Sequence, residues 1–261
     1  MAYSVRKILK LLHTGGYDKA IKICNDRMRN GKQTSIFTPN SEMISGAARS
    51  DELLKILHSA NILLPDGIGI HIGMKLLGIP SYERTAGIDI AEKLLCEAQK
   101  GDHKIFLLGA KEGVASRAAS VINESHGTNI VCGYHHGYFE KCGKENQNVM
   151  EMINESGADI LFVCLGFPEQ EKWIMKNLPS LKAVKLAIGL GGSLDVWSGD
   201  VKRAPHFISL VGLEWFWRLC FDLKRLKRIT FLIDFALLVL KEAFIKTQDF
   251  GKCYEIDNFL K

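Results

Sequence analysis

The chain contains no C-x-x-C pair, and its seven cysteines (24, 96, 132, 142, 164, 220 and 253) are an odd number. That spacing opposes a disulfide framework and a zinc ribbon, and it fits a reducing compartment. Prolines are scarce, 6 in 261 residues, while 47% of the chain is apolar, so a disordered or fibrous chain is excluded. Residues 1–31 mix charge throughout and lack a long apolar core, so no signal peptide is readable and a cytosolic chain is expected. The apolar stretch 229–240 is interrupted by Asp234 and falls short of the roughly 20 residues that cross a bilayer. There is no D-x-D, no H-E-x-x-H and no clustered carboxylate motif, so metal catalysis is not expected. Cys132, His135, His136 and Cys142 match no common zinc spacing and read as an unliganded loop.

Charge is present but unevenly placed. Residues 201–228 hold seven basic side chains against two acidic ones, a surplus equal to the +5 of the whole chain. Such a segment suits an anionic partner: nucleic acid, a phospholipid surface or a phosphorylated substrate. It also carries Trp215, Phe216, Trp217 and Phe221, which favours a helix lying on a membrane surface over one that reads DNA. A helix packed on its own domain remains the alternative.

Up to residue 200 short apolar runs alternate with helical patterns. Strands are expected at 34–37, 62–64, 104–108, 129–132, 160–165 and 184–188. Helices are expected at 18–28, 51–58, 68–77, 88–99, 113–124, 149–155 and 170–177. Continuous apolar strands such as ILFVCLG belong to a parallel sheet covered on both faces, so the class is α/β, a three-layer Rossmann-like domain. After Pro205 the pattern is all-helical, giving a division into an α/β domain at 1–205 and a C-terminal helical appendage at 206–261. Leu213, Phe216, Leu219, Cys220, Leu223 and Leu226 would share one side of its first helix.

Five strand ends carry turn residues: TPN (38–40), PDGIG (65–69), GAKEG (109–113), GFPEQE (166–171) and GLGGS (189–193). Each alone is a turn; together they suggest one cleft beyond the carboxyl ends of the sheet. The GLGGS loop offers unhindered amides to a phosphate, or is a plain tight turn; it is neither a P-loop nor a G-x-G-x-x-G fingerprint. Asp195 beyond it reads as a ribose or base acceptor, or as a helix-cap carboxylate. Asp66, between a buried strand and a glycine-flanked helix start, reads as a general base or as a cap.

Taken in order, TPNSEM (38–43), LPDGIGI (64–70), ERTAGID (83–89), FLLGA (106–110), HGYF (136–139), GFPEQEKW (166–173), GLGGSLDVWSG (189–199), RAP (203–205) and GLEWFWRL (212–219) resemble the WecG/TagA/CpsF glycosyltransferases, family 26, over 32–228. The likeness implies an inverting, metal-independent enzyme without a cofactor. It would move a sugar from a UDP-sugar donor to a polyprenyl-diphosphate-linked sugar, working as a peripheral protein on the inner face of the membrane. In the best-known branch the donor is UDP-N-acetylmannosamine, the acceptor carries N-acetylglucosamine, and the product feeds teichoic acid; other branches serve capsular and exopolysaccharide. By the same likeness Asp66 corresponds to the catalytic base. Thr38, Asn40, Arg84 and Gln170 fall at substrate-pocket positions, and Gly191, Gly192 and Asp195 in the nucleotide-binding stretch. Arg218, Arg225 and Arg228 match basic positions of a membrane-directing appendage. On one helix those three span about 15 Å, enough to meet a diphosphate. The first thirty residues depart from the family's opening strand and hairpin.

Two other readings compete. A non-catalytic nucleotide-sugar or lipid-binding module of the same fold would not need Asp66. A nucleic-acid-binding protein rests on the 201–228 charge alone and is not expected. A homo-oligomer is left open.

Overall fold

The computed structural model describes residues 3–81, 87–205, 208, 216–217 and 226–244. Six parallel strands, β1 (Thr34–Phe37), β2 (Ile62–Leu63), β3 (Ile105–Gly109), β4 (Val131–His135), β5 (Ile160–Cys164) and β6 (Leu186–Gly189), form one sheet in the order β2-β1-β6-β5-β3-β4. The four inner strands are buried along their whole length, which is why they read as unbroken apolar runs. Edge strand β4 alternates buried and accessible positions instead. Its accessible Cys132 and Tyr134 hide the pattern, and the strand lies at 131–135 where the sequence suggests 129–132.

Eleven described α-helices cover the two faces. One face carries α1 (Val5–Leu9), α3 (Ser41–Ala47), α4 (Asp51–Ser59), α5 (Ile68–Leu76), α8 (Gly143–Glu155), α9 (Glu169–Asn177) and α11 (Leu226–Phe244). The other carries α2 (Gly16–Arg29), α6 (Gly87–Gly101), α7 (Val114–His126) and α10 (Ser193–Trp197). Within β5, Leu161 and Val163 join the first core while Ile160, Phe162 and Cys164 join the second, the two-residue alternation of a strand buried on both sides. The three-layer α/β expectation therefore holds.

Helices α1, α3 and α10 are five to seven residues long, too short to show a 3.6-residue period. Local caps and packing make them: Ser4 caps α1 and Asn40 caps α3 through their side chains. The opening segment carries two helices, α1 and α2.

Helix α11 contains the apolar stretch 229–240. Phe235 and Val239 are buried in the same core as Ile70 and Met74 of α5. A Cβ on Gly73 of α5 would lie 2.8 Å from Phe235 Cζ, so the glycine lets the two helices approach. Asp234, the charge within that stretch, pairs with Arg49. Glu242 accepts from the backbone N–H of Val5 at 2.6 Å and of Arg6 at 2.9 Å, capping α1 from across the molecule. Residues 213–215 and 218–225, where the amphipathic side of the first appendage helix is expected, lie outside the described residues; 216 and 217 are helical.

Candidate active site

The carboxyl ends of β2, β1 and β6 lie side by side, and each is followed by a turn the sequence singles out. Pairing of β1 and β2 continues past the strands: Leu64 N–H donates to Phe37 O at 2.9 Å and Asp66 N–H to Pro39 O at 3.0 Å. This backbone bond fixes Asp66 beside Thr38-Pro39-Asn40. Gly67 then takes φ +84°, a conformation that favours glycine, and turns the chain into α5.

The Asp66 side chain is half-buried, and its Oδ1 accepts from the backbone N–H of Gly87 at 3.3 Å. Gly87 opens α6, so the carboxylate sits at the amino end of a fifteen-residue helix that is distant in sequence. A Cβ on Gly87 would stand 3.3 Å from Thr38 Oγ1, so Thr38, Asp66 and the start of α6 form one close group.

Thr38 is buried, and its hydroxyl donates to Gly189 O at 3.2 Å, tying β1 to the end of β6. Asn40 Oδ1 accepts from Met43 N–H at 3.1 Å as the cap of α3. Gln170 is only 4% exposed. Its Oε1 accepts from Gly191 N–H at 2.9 Å and its Nε2 donates to Glu171 Oε1 at 2.8 Å. Gly191 has φ +53°, Gly192 precedes α10, and Asp195 lies in the first turn of that helix. The loop is less open than its composition suggests, because the Gly191 amide is taken by Gln170 and Ser193 N–H donates to Leu190 O at 3.2 Å.

The structure thus brings Asp66, Thr38, Asn40, Gln170, Gly191, Gly192 and Asp195 to one edge. Arg84, Arg218 and Arg225 lie outside the described residues; Arg228 stands in the first turn of α11, with its side chain outside them. Among the described residues no three His, Cys, Asp or Glu side chains are placed to share a metal ion. Of the four residues weighed as a metal group, Cys142 precedes α8, Cys132 Sγ meets Ile105 O at 3.5 Å, and His135 Nδ1 meets His136 O at 2.8 Å.

Glu171 escapes a reading of the sequence. An acid in the first turn of a helix looks like a solvated partner of the dipole, yet Glu171 has no exposed surface. Burial is the main cause that pushes its carboxyl up to about 7, and its Oε2 has no hydrogen-bond partner. Nearby, burial pushes the Cys164 thiol up to about 12, which keeps it an unreactive thiol at the edge of the site. Further along the same sheet edge, Lys111, Glu112, His136 and Tyr138 line an open depression of about 490 Å³. There the backbones crowd: a Cβ on Gly109 would lie 2.3 Å from Cys164 O.

Comparison with known proteins matches residues 7–249 to the model of the WecG/TagA/CpsF family of glycosyl transferases. Three similar relatives are each named N-acetylglucosaminyldiphosphoundecaprenol N-acetyl-beta-D-mannosaminyltransferase. The one from Bacillus subtilis strain 168 is 39% identical over 207 residues, 79% of either chain. That of Bacillus spizizenii W23 is 36% identical over 210 residues, 80% of either chain. That of Staphylococcus aureus MRSA252 is 32% identical over 206 residues, 79% of either chain. Among the described residues no helix is long and apolar enough to cross a membrane.

Proposed function

Because the chain belongs to the WecG/TagA/CpsF family of glycosyl transferases, we propose that it moves N-acetylmannosamine from UDP-N-acetylmannosamine to N-acetylglucosamine carried on a polyprenyl diphosphate. The site of action is the inner face of the cell membrane, and the product enters teichoic acid or another cell-surface polysaccharide. The names of the relatives supply the acceptor and the sugar. The observation that carries the mechanism is the position of Asp66, half-buried at the carboxyl edge of the sheet and held by its own backbone and by Gly87.

In this reading Asp66 takes the proton of the acceptor hydroxyl as its oxygen attacks the anomeric carbon. The new C–O bond forms as the bond to UDP breaks, in one in-line displacement that inverts the centre. UDP leaves with the bonding pair. Its charge falls to Arg84, Arg218, Arg225 and Arg228, while Gly191, Gly192 and Asp195 receive the nucleotide. The Gly87 amide holds the Asp66 carboxylate at the amino end of α6, where it can accept the proton of an incoming hydroxyl.

Helix α11 supports the membrane face of the proposal. Ile233, Leu237, Leu240 and Phe244 are exposed on it, and α5, which packs on α11 through Gly73 and begins just after Asp66, exposes Ile72 and Leu76. The test is transfer from UDP-N-acetylmannosamine to a short-chain polyprenyl-diphosphate N-acetylglucosamine, read by mass spectrometry. Asp66→Asn should lower turnover by at least about a thousandfold while UDP still binds. Full turnover in that variant removes the mechanism, and turnover lost to a chelator and restored by manganese removes its metal independence.

A further inference from the structure

The buried pair Gln170 and Glu171 lies behind the 189–192 loop. The end of β6 is gripped from two sides, by the Thr38 hydroxyl on Gly189 O and by the Gln170 amide on Gly191 N–H. Gly189 has no room for a side chain: a Cβ there would stand 2.8 Å from Gln170 Nε2 and 3.3 Å from Glu171 Oε1. The glycine therefore admits the two side chains, and they in turn set the path of the loop.

An amide can bind either way round. Gln170 is useful to Gly191 only with its oxygen forward, since two N–H groups facing each other repel. A carboxyl oxygen behind it accepts from Nε2 and selects that orientation. Glu171 Oε1 occupies this place at 2.8 Å, on a side chain with no exposed surface of its own.

We propose that Glu171 is a positioning residue for the transfer reaction: by orienting the Gln170 amide it fixes the Gly191 backbone and so shapes the seat of the nucleotide diphosphate. The residue is too buried to touch substrate and acts only through Gln170 and the loop. This inference rests on the reading of 189–192 as that seat.

The test compares the full-length wild type with Glu171→Met and Glu171→Gln by melting, calorimetric titration with UDP, steady-state kinetics and hydrogen exchange of residues 189–195. Methionine fills the volume with only a weak sulfur acceptor in place of the carboxyl oxygen, so the 189–195 amides should exchange faster. Loss of one such hydrogen bond should raise the UDP Kd and the donor KM about tenfold, with the acceptor KM unchanged. Glutamine still presents an oxygen and should bring both constants back to within about threefold of wild type. A purely structural role would change the melting temperature and leave donor and acceptor KM in their wild-type ratio; that result overturns the inference, as does wild-type loop exchange in Glu171→Met. If Glu171→Met does not fold, Gln170→Ala cuts the same link from the other end, and unchanged exchange with an unchanged UDP Kd there overturns it equally. A wild type that binds no UDP removes the nucleotide seat and, with it, Glu171's role in the reaction; loop exchange then shows whether Glu171 still sets the backbone, so the two failures are told apart.

Discussion

With no exposed surface and Glu169 adding its charge, the Glu171 carboxyl is held neutral by burial up to about pH 7. In the unfolded chain the same group ionises near its ordinary 4.5. Between these two values the native state binds the extra proton, so this group's contribution to stability falls as pH rises from 4.5 to 7 and is level above that. The whole loss is on the order of 3 kcal/mol as an upper figure. Glu171→Gln carries no titrating proton. Its stability relative to wild type should therefore improve by up to about 3 kcal/mol between pH 4.5 and pH 8, measured by urea unfolding at both values. A difference that stays flat with pH means that Glu171 is not a buried acid. Position 171 also shows where a sequence stops speaking. Asp66 is legible because turn chemistry on both sides places it at a strand end. Glu171 carries the same functional group, but it is hidden from water by tertiary packing that its neighbours in sequence do not signal. The Asn40 bond to Met43 is a local helix cap, whereas the bonds of Thr38 to Gly189 and of Gln170 to Gly191 join parts of the backbone that no local pattern relates.

At the scale of elements, the four inner strands are legible because burial on both faces leaves them continuous and apolar, whereas edge strand β4 is blurred by its accessible positions and α1, α3 and α10 depend on caps and neighbours. Helix α11 has two different sides. Phe235 is 3% exposed and wedges against Gly73, whereas Ile233 and Leu237 are 55% and 61% exposed. Phe235→Ala should cost about 3–5 kcal/mol of folding stability. Ile233→Gln with Leu237→Gln should change stability by less than about 0.5 kcal/mol per site and still weaken binding to lipid vesicles. Sedimentation with vesicles and thermal melting separate the two effects; the membrane role of this face fails if the double variant binds as wild type does. Deleting everything after Pro205 is a poorer test, because it strips Phe235 and Val239 from the core and Glu242 from the start of α1.

For the molecule as a whole, the sheet directs Asp66 and the 189–192 loop to one edge, and α5 runs from that edge to pack on α11. A lipid-linked acceptor must bring its diphosphate to the same edge while its hydrocarbon stays in the bilayer. The charge distribution suits that demand, since residues 201–228 alone equal the +5 of the chain. Lys224 and Lys227 belong to this segment and are not assigned to the diphosphate, so they isolate attraction to the surface from contact with substrate. Each basic residue near an anionic surface contributes about 1 kcal/mol, so Lys224→Ala with Lys227→Ala should weaken partition onto phosphatidylglycerol vesicles roughly thirtyfold. On neutral vesicles, or at high salt where such fields are screened, the two proteins should converge. Turnover with a soluble short-chain acceptor should stay near wild type, because the reacting groups are untouched. Equal partition of variant and wild type at low salt would mean that the basic segment serves the diphosphate alone and that the apolar face of α11 holds the membrane unaided.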